Sequence, residues 1–243
     1  MINLTHSIPL KEHLQGKIST ESHSTRENLS LVLSGKVDYS MISIVDYFKN
    51  KVELELVEGP TITGLAHSMS NLFISNGKDP YNGMKISVSS QTETTAFFLR
   101  LVLNKTFPVA KFLRSRHSDA ESMLKESDFA LVIGDDALSV YNTSYRIIFD
   151  VTHMFSRLYN LYSIYAVTVK RKGTETPSVF PADFKVNPWE KKKSAERINS
   201  KISSEILDRY FEVISYDFDS IISDHVEKLE ELYNANGKTI FES

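Results

Sequence analysis

Residues 84–105 constrain the chain most. Met84-Lys85-Ile86-Ser87-Val88 has the make-up of a short strand, Ser89-Ser90-Gln91-Thr92-Glu93-Thr94-Thr95 is a dense run of hydroxyls, and Ala96 to Leu103 is an apolar stretch long enough for a helix. A strand that passes through such a turn into a helix gathers free backbone N–H groups and hydroxyls at one point. The positive end of the helix dipole lies there too, so the turn can hold an anion. It can equally be an ordinary helix start, because Ser and Thr are favoured caps and Glu suits the first turn.

Composition narrows the partners. The 243 residues are 41% hydrophobic and 24% charged, enough for a full core in one domain or two small ones. A net charge of −3 offers no basic face for nucleic acid, yet permits a small anionic ligand, which responds to local donors. The absence of cysteine excludes disulfides, thiol catalysis and zinc–thiolate sites. Met1 to Leu14 lacks a basic segment followed by a long apolar run, and no stretch reaches the ~18 apolar residues of a membrane span. The expectation is a cytoplasmic protein with no membrane and no nucleic-acid partner.

In order, Ile2 to Thr5 reads as a strand and Pro9 opens a short helix to Leu14. Lys17 to Glu21 reads as a weak strand. Ser24-Thr25-Arg26-Glu27 is a capping box whose helix ends at Gly35, and Val37 to Ile42 is a strand followed by a helix from Ile44 to Lys49. This is the β-α rhythm of a doubly wound sheet. Strands follow at 54–57, 62–67 and 71–75, and Asn76 to Pro80 reads as the exit from a first lobe. A second β-α rhythm then runs from 84 to 169, with a strand at 109–113, a helix at 118–126, and Phe129 to Ile133 as a parallel strand buried on both faces. Lys170 to Lys193 is linker-like, its Lys191-Lys192-Lys193 run an exposed helix start or solvated linker. The remainder is helical to near Gly237. The expected fold is α/β: a two-lobed clamshell with mixed sheets and a C-terminal helical segment. Lobe 1 spans 1–80 and 173–243, and lobe 2 spans 81–172.

In a clamshell, ligands sit between the lobes at strand ends. Three ends then face one cleft: Met41-Ile42-Ser43, Val88-Ser89-Ser90 and Val132-Ile133-Gly134-Asp135. The seven histidines show no metal-ligand spacing. His6, just after the first strand, can reach the cleft as an acid or base, or can be a surface turn residue. Asp135 and Asp136 read as a carboxylate pair or as a helix cap with a first-turn acid. There is no G-x-G-x-x-G, P-loop or G-x-S-x-G.

Several segments, taken in order, resemble the MqnA/MqnD family of the futalosine route to menaquinone. Gly35-Lys36-Val37-Asp38 with Ser43-Ile44-Val45-Asp46-Tyr47 resembles G-x-[LV]-D…S-[IY]-x-x-Y. Ser70 to Ser75 is similar to S-V-x-L-F-S, and Thr92 to Ala96 with Leu99-Arg100-Leu101 to S-R-T-S-V…L-L-R. Leu131 to Leu138 is close to L-L-I-G-D-x-A-L, and Ser204 to Tyr210 to P-E-L-L-R-x-Y. The resemblance implies a type 2 periplasmic-binding-protein-like fold used as a cytoplasmic enzyme. Gly134-Asp135 and Ile8-Pro9-Leu10 lean to the MqnA branch, which loses water from chorismate to give 3-[(1-carboxyvinyl)oxy]benzoate. The departures are His6 where the family has Asn, Glu93 where it has Arg, and Thr152-His153-Met154-Phe155 in place of G-E-E-W.

Together these readings give an expected site. Ser43, Ser70, Ser89, Thr92, Thr94 and Thr95 bind substrate, and His6 and Asp135 are catalytic. No cofactor or metal is expected, the substrate is a small carboxylate, and the protein is a monomer or weak homodimer. The alternatives are a naphthoate-synthase-type enzyme of the same family acting on another substrate, and a non-catalytic cytoplasmic small-anion-binding protein of the same fold.

Overall fold

The computed structural model describes residues 1–89, 92–175, 179–181, 184–198 and 202–236, with Arg197 described in its backbone alone. Ser90, Gln91 and Gly237, which figured in the sequence reading, lie outside them, as does part of the Lys170 to Lys193 stretch.

Local chemistry starts most elements. Thr5–Ser7 form a single 3-10 turn that leads into α1 (Ile8–Leu14), with Pro9 in its first turn. α2 (Thr25–Leu33) begins at the capping box, with both the Ser24 and the Glu27 hydrogen bonds made. β1 (Ser40–Ser43) ends at Ser43, whose hydroxyl accepts the Asp46 N–H and caps α3 (Ile44–Lys49). Then come β2 (Leu54–Leu56), β3 (Ile62–Gly64), β4 (Asn71–Ser75), β5 (Lys85–Ser89), α4 (Glu93–Leu103) and β6 (Lys111–Ser115). Asp119 caps α5 (Ala120–Glu126), which leads to β7 (Phe129–Ile133), α6 (Gly134–Val140) and β8 (Arg146–Asp150). Asp150 caps α7 (Val151–Tyr159), and left-handed Asn160 ends it. β9 (Ser163–Arg171), α8 (Pro188–Arg197), α9 (Ser204–Val213), β10 (Ile214–Ser215) and α10 (Ser220–Asn236) complete the chain.

The strands form two five-stranded sheets. In the first, β9 lies between β1 on one side and β2 and β3 on the other, all antiparallel to it, and β10 extends the sheet beyond β3. The second runs β6-β5-β7-β4-β8 and is mixed: β5 is parallel to β6 and β7, while β4 is antiparallel to β7 and β8. These sheets are the two lobes of a periplasmic-binding-protein-like clamshell. They divide the chain differently from the expected boundaries at 80 and 172. β4 belongs to the second lobe and β9 to the first, so the chain crosses between β3 and β4 and again between β8 and β9. Both strands are almost wholly buried, and an apolar run does not say which sheet will bury it.

The opening β-α-β rhythm is also corrected. Ile2 makes one isolated parallel bridge to His23, and Lys17 to Glu21 is not a strand. Gly16 turns the chain at φ +78°, and the N–H groups of Lys17 and Ile18 both return to the Leu14 carbonyl, which prolongs the helix end. The centre of the first sheet is β9. The expected linker through Lys193 contains α8, on which Lys191 is buried and donates to the Ile214 carbonyl at 2.8 Å.

α4 joins the lobes. Apart from Glu93 and Arg100 it is buried all round. Phe98 packs on Phe155 of α7 at 4.7 Å and edge-on to Tyr165 of β9, while Phe97 meets Tyr233 of α10. A helix apolar on every face must be enclosed, and this one is enclosed by both lobes.

Candidate functional site

A cleft of about 360 Å³ lies between the sheets. Its first-lobe wall comes from the start of α2 (Ser24, Thr25, Arg26), from Ser43 and Asp46, from β3, and from Tyr165 and Ala166 of β9. Its second-lobe wall comes from Ser70 and Asn71 at the head of β4, Thr92 to Thr95 at the head of α4, and Ile133 and Gly134 where β7 becomes α6. His6 and Tyr210 also line the cleft. The first turns of α2, α3, α4 and α6 thus meet the same space, so unpaired N–H groups and positive dipole ends gather there without net cationic charge.

The α4 turn is the most informative part. Thr92 occupies the cap position yet makes no side-chain cap hydrogen bond. Its hydroxyl and that of Thr94 are buried and have no partner, with Thr92 2% and Thr94 7% exposed. The ordinary capping alternative would have satisfied Thr92. Thr95 differs, because its hydroxyl donates to Asn71 Oδ1 at 2.9 Å. Asn71 Nδ2 donates in turn to Ser68 Oγ at 3.0 Å and to Ser70 Oγ at 3.3 Å. Ser70 also hydrogen-bonds Tyr210, and the Ser70 carbonyl accepts the Gly134 N–H at 2.8 Å. Gly134 sits at φ +60°, where a side chain is strained although space is open. At Gly64, by contrast, a Cβ would lie 2.7 Å from Thr152 Cγ2, so close packing requires glycine.

Several lining groups and the residues behind them are tied down. Asp150 accepts the N–H groups of Ser68 and Met69 at 2.9 and 2.7 Å, which holds Met69 at φ +58° beside the lobe crossing. Tyr165 shares a 2.6 Å hydrogen bond with Thr152. Burial holds the Tyr165 and Tyr210 phenols protonated, well above their ordinary range. The His6 carbonyl accepts the Tyr216 hydroxyl at 2.7 Å, which fixes the backbone, while the ring Nε2 is buried without a partner. Burial pushes the His6 imidazole down to about 4, so it is neutral at pH 7.

Of the expected residues, His6, Ser43, Ser70, Thr92, Thr94 and Thr95 line one cleft. Ser89 and Asp135 do not. Ser89 is the last residue of β5, and Thr92 is a lining residue. Asp135 accepts the Thr5 hydroxyl at 2.8 Å and also its N–H, anchoring the turn that carries His6. Burial raises the Asp135 carboxyl. Glu93 lines the rim and is paired with Lys49 of α3. Sequence reasoning missed Arg26, Asp46, Asn71, Tyr165 and Tyr210. Tyr210 figured only as the end of the Ser204 to Tyr210 segment, and its ring is buried in the core. Asn71 is the lone amide at the head of an apolar strand, and that is the signal that could have found it.

A family model described as "Menaquinone biosynthesis" matches residues 7–235. No curated protein matches the chain. Among solved structures, protein AF1704 from Archaeoglobus fulgidus is similar at TM-score 0.71 and 11% identity, over 97% of this chain and 95% of that one. An ABC transporter protein from Parabacteroides distasonis gives 0.69 and 13%, over 99% and 92%. The periplasmic aliphatic sulphonate binding protein SsuA from Escherichia coli gives 0.65 and 9%, over 99% and 97%. These likenesses establish the periplasmic-binding-protein fold.

Proposed function

The chain belongs to the MqnA/MqnD family of menaquinone biosynthesis, and on that premise we propose that it is a cofactor-independent lyase of the chorismate dehydratase type. The observation that carries this reading is the pair of buried, unpartnered hydroxyls on Thr92 and Thr94 at the head of α4. Each unsatisfied hydroxyl costs about 1–3 kcal/mol, which a bound carboxylate returns. Such a site stays this way because a ligand completes it.

Dehydration of chorismate breaks the C–H bond at the ring carbon bearing the enol ether and the C–O bond at its hydroxylated neighbour. The C–H electron pair becomes the third ring double bond, and one water leaves. His6 is the proton carrier in this proposal. Its neutral Nε2 takes the ring proton, and the imidazolium formed returns that proton to the departing hydroxyl, so the residue ends neutral. An imidazole near 4 is a weak base, but a dianionic substrate beside it favours the charged form and raises it. Asp135 acts through Thr5 as a positioning residue. Ser43, Ser70 and Thr95 shape the walls, and closure of the lobes excludes water.

The test is to incubate the purified protein with chorismate and follow formation of the aromatic enol ether by absorbance and mass. Turnover that needs His6 is the expected result. Absence of product together with thermal stabilisation by chorismate overturns the enzyme assignment and favours the non-catalytic small-anion-binding reading.

A further inference from the structure

Arg26 lies in the first turn of α2 and lines the cleft from the first lobe. Among the described residues it pairs with no carboxylate, although Lys49, Lys51, Lys78, Lys125, Lys170 and Arg146 each do. The acids around it are already engaged. Glu27 closes the capping box with Ser24, Glu93 is held by Lys49, and Asp46 accepts the Ser43 hydroxyl at 2.8 Å. Asp46 feels the Arg26 charge only through space, without an ion pair, so among the described lining residues Arg26 is the cation whose guanidinium holds no carboxylate directly. The unpartnered Thr92 and Thr94 hydroxyls face the same cleft from the second lobe.

We propose that Arg26 is a second anion anchor: it takes one carboxylate of a ligand whose other carboxylate sits on the α4 turn, and so selects dicarboxylates over monocarboxylates. This rests on reading the cleft as an anion site and names the residue that sets its charge selectivity. A guanidinium suits the role because its planar fork meets a carboxylate in two hydrogen bonds. The two anchors belong to different lobes, so only a ligand with two anionic ends ties the lobes together.

The test uses two unreactive acids, benzoate and isophthalate, titrated calorimetrically into the whole protein. The wild type should bind isophthalate more tightly. Arg26→Gln should weaken isophthalate about ten- to a hundredfold, the worth of one charge-assisted contact, while leaving benzoate within about twofold. Arg26→Lys should recover part of the loss. Equal loss for both acids, no loss for isophthalate, or no binding of either acid to the wild type overturns the proposal. Arg26 is exposed, so a thermal melt of the variant should match the wild type. Turnover of chorismate is a separate readout: the dehydratase reading can fail while the selectivity stands, and the reverse.

Discussion

His6 carries the clearest pH signature. The folded chain keeps its imidazole neutral down to about pH 4, whereas an unfolded chain protonates it near 6.5. Between those values the unfolded state binds more protons, so stability is full above pH 6.5 and falls as pH drops toward 4. His6→Gln should flatten this acid limb by up to about 3 kcal/mol in denaturant titrations at pH 4 against pH 7. The same group should give kcat/KM an acid limb near pH 4 in the free enzyme, and kcat a limb at higher pH once the substrate dianion is bound. The Thr95–Asn71 pair is a second residue-scale case. Asn71→Ala orphans the buried Thr95 hydroxyl and removes two serine partners. It should cost about 1–3 kcal/mol and weaken ligand binding, whereas Thr95→Val orphans only one acceptor and should cost less. Single residues were the least legible scale in the sequence. Thr92 reads alike whether it caps a helix or waits for a ligand, and only the missing cap bond separates the two.

At the scale of elements, helix starts with a polar cap were legible because their chemistry is local. The Ser24 box and the α3 and β4 bounds follow from residues within a few positions of each other. The start of α6 shows what a single turn demands. Gly134 at φ +60° swings the chain from β7 into the helix and donates to Ser70. Gly134→Ala should destabilise the protein by about 1–2 kcal/mol through backbone strain alone, since the nearest side-chain atoms lie 3.9 Å from the added Cβ. A melt shifted by far more would mean that the turn itself rearranges. The elements misread were those decided by distant chain. Lys17 to Glu21 had strand-like residues but no neighbouring strand, and Ile214 fell in the stretch read as helical yet pairs with Gly64 of β3.

Across the whole molecule, the lobes are joined at the cleft rim by Lys49 of α3 and Glu93 of α4. Both side chains are partly exposed, so the pair is worth at most about 1 kcal/mol to folding. It also spans the seam between the two lobes. Glu93→Gln should leave the melting transition nearly unchanged while enlarging the radius of gyration of the ligand-free protein in small-angle scattering, with ligand reversing the change. Deeper in, Tyr233 of α10 touches Phe48 of the first lobe and Phe97 of the second, so the C-terminal helix braces the same seam. The two-lobed plan was legible from the two runs of alternating elements. The division between lobes was not, because it depends on which sheet claims β4 and β9.

That β9 is the strand onto which β1, β2 and β3 all pair has a consequence for how the chain is made. Those three strands leave the ribosome about a hundred residues before their common partner, while every strand of the second sheet lies between Asn71 and Asp150. The second lobe can therefore assemble on the nascent chain while the first waits as an unpaired set of edges. Nascent chains from which residue 160 has just emerged should protect β4 to β8 from proteolysis and leave 40–64 cleavable, with protection of 40–64 appearing only once residue 171 has emerged. A chaperone that shields sheet edges would act in that interval, and mutations that slow β9 would be felt as aggregation during synthesis before they were felt as loss of activity.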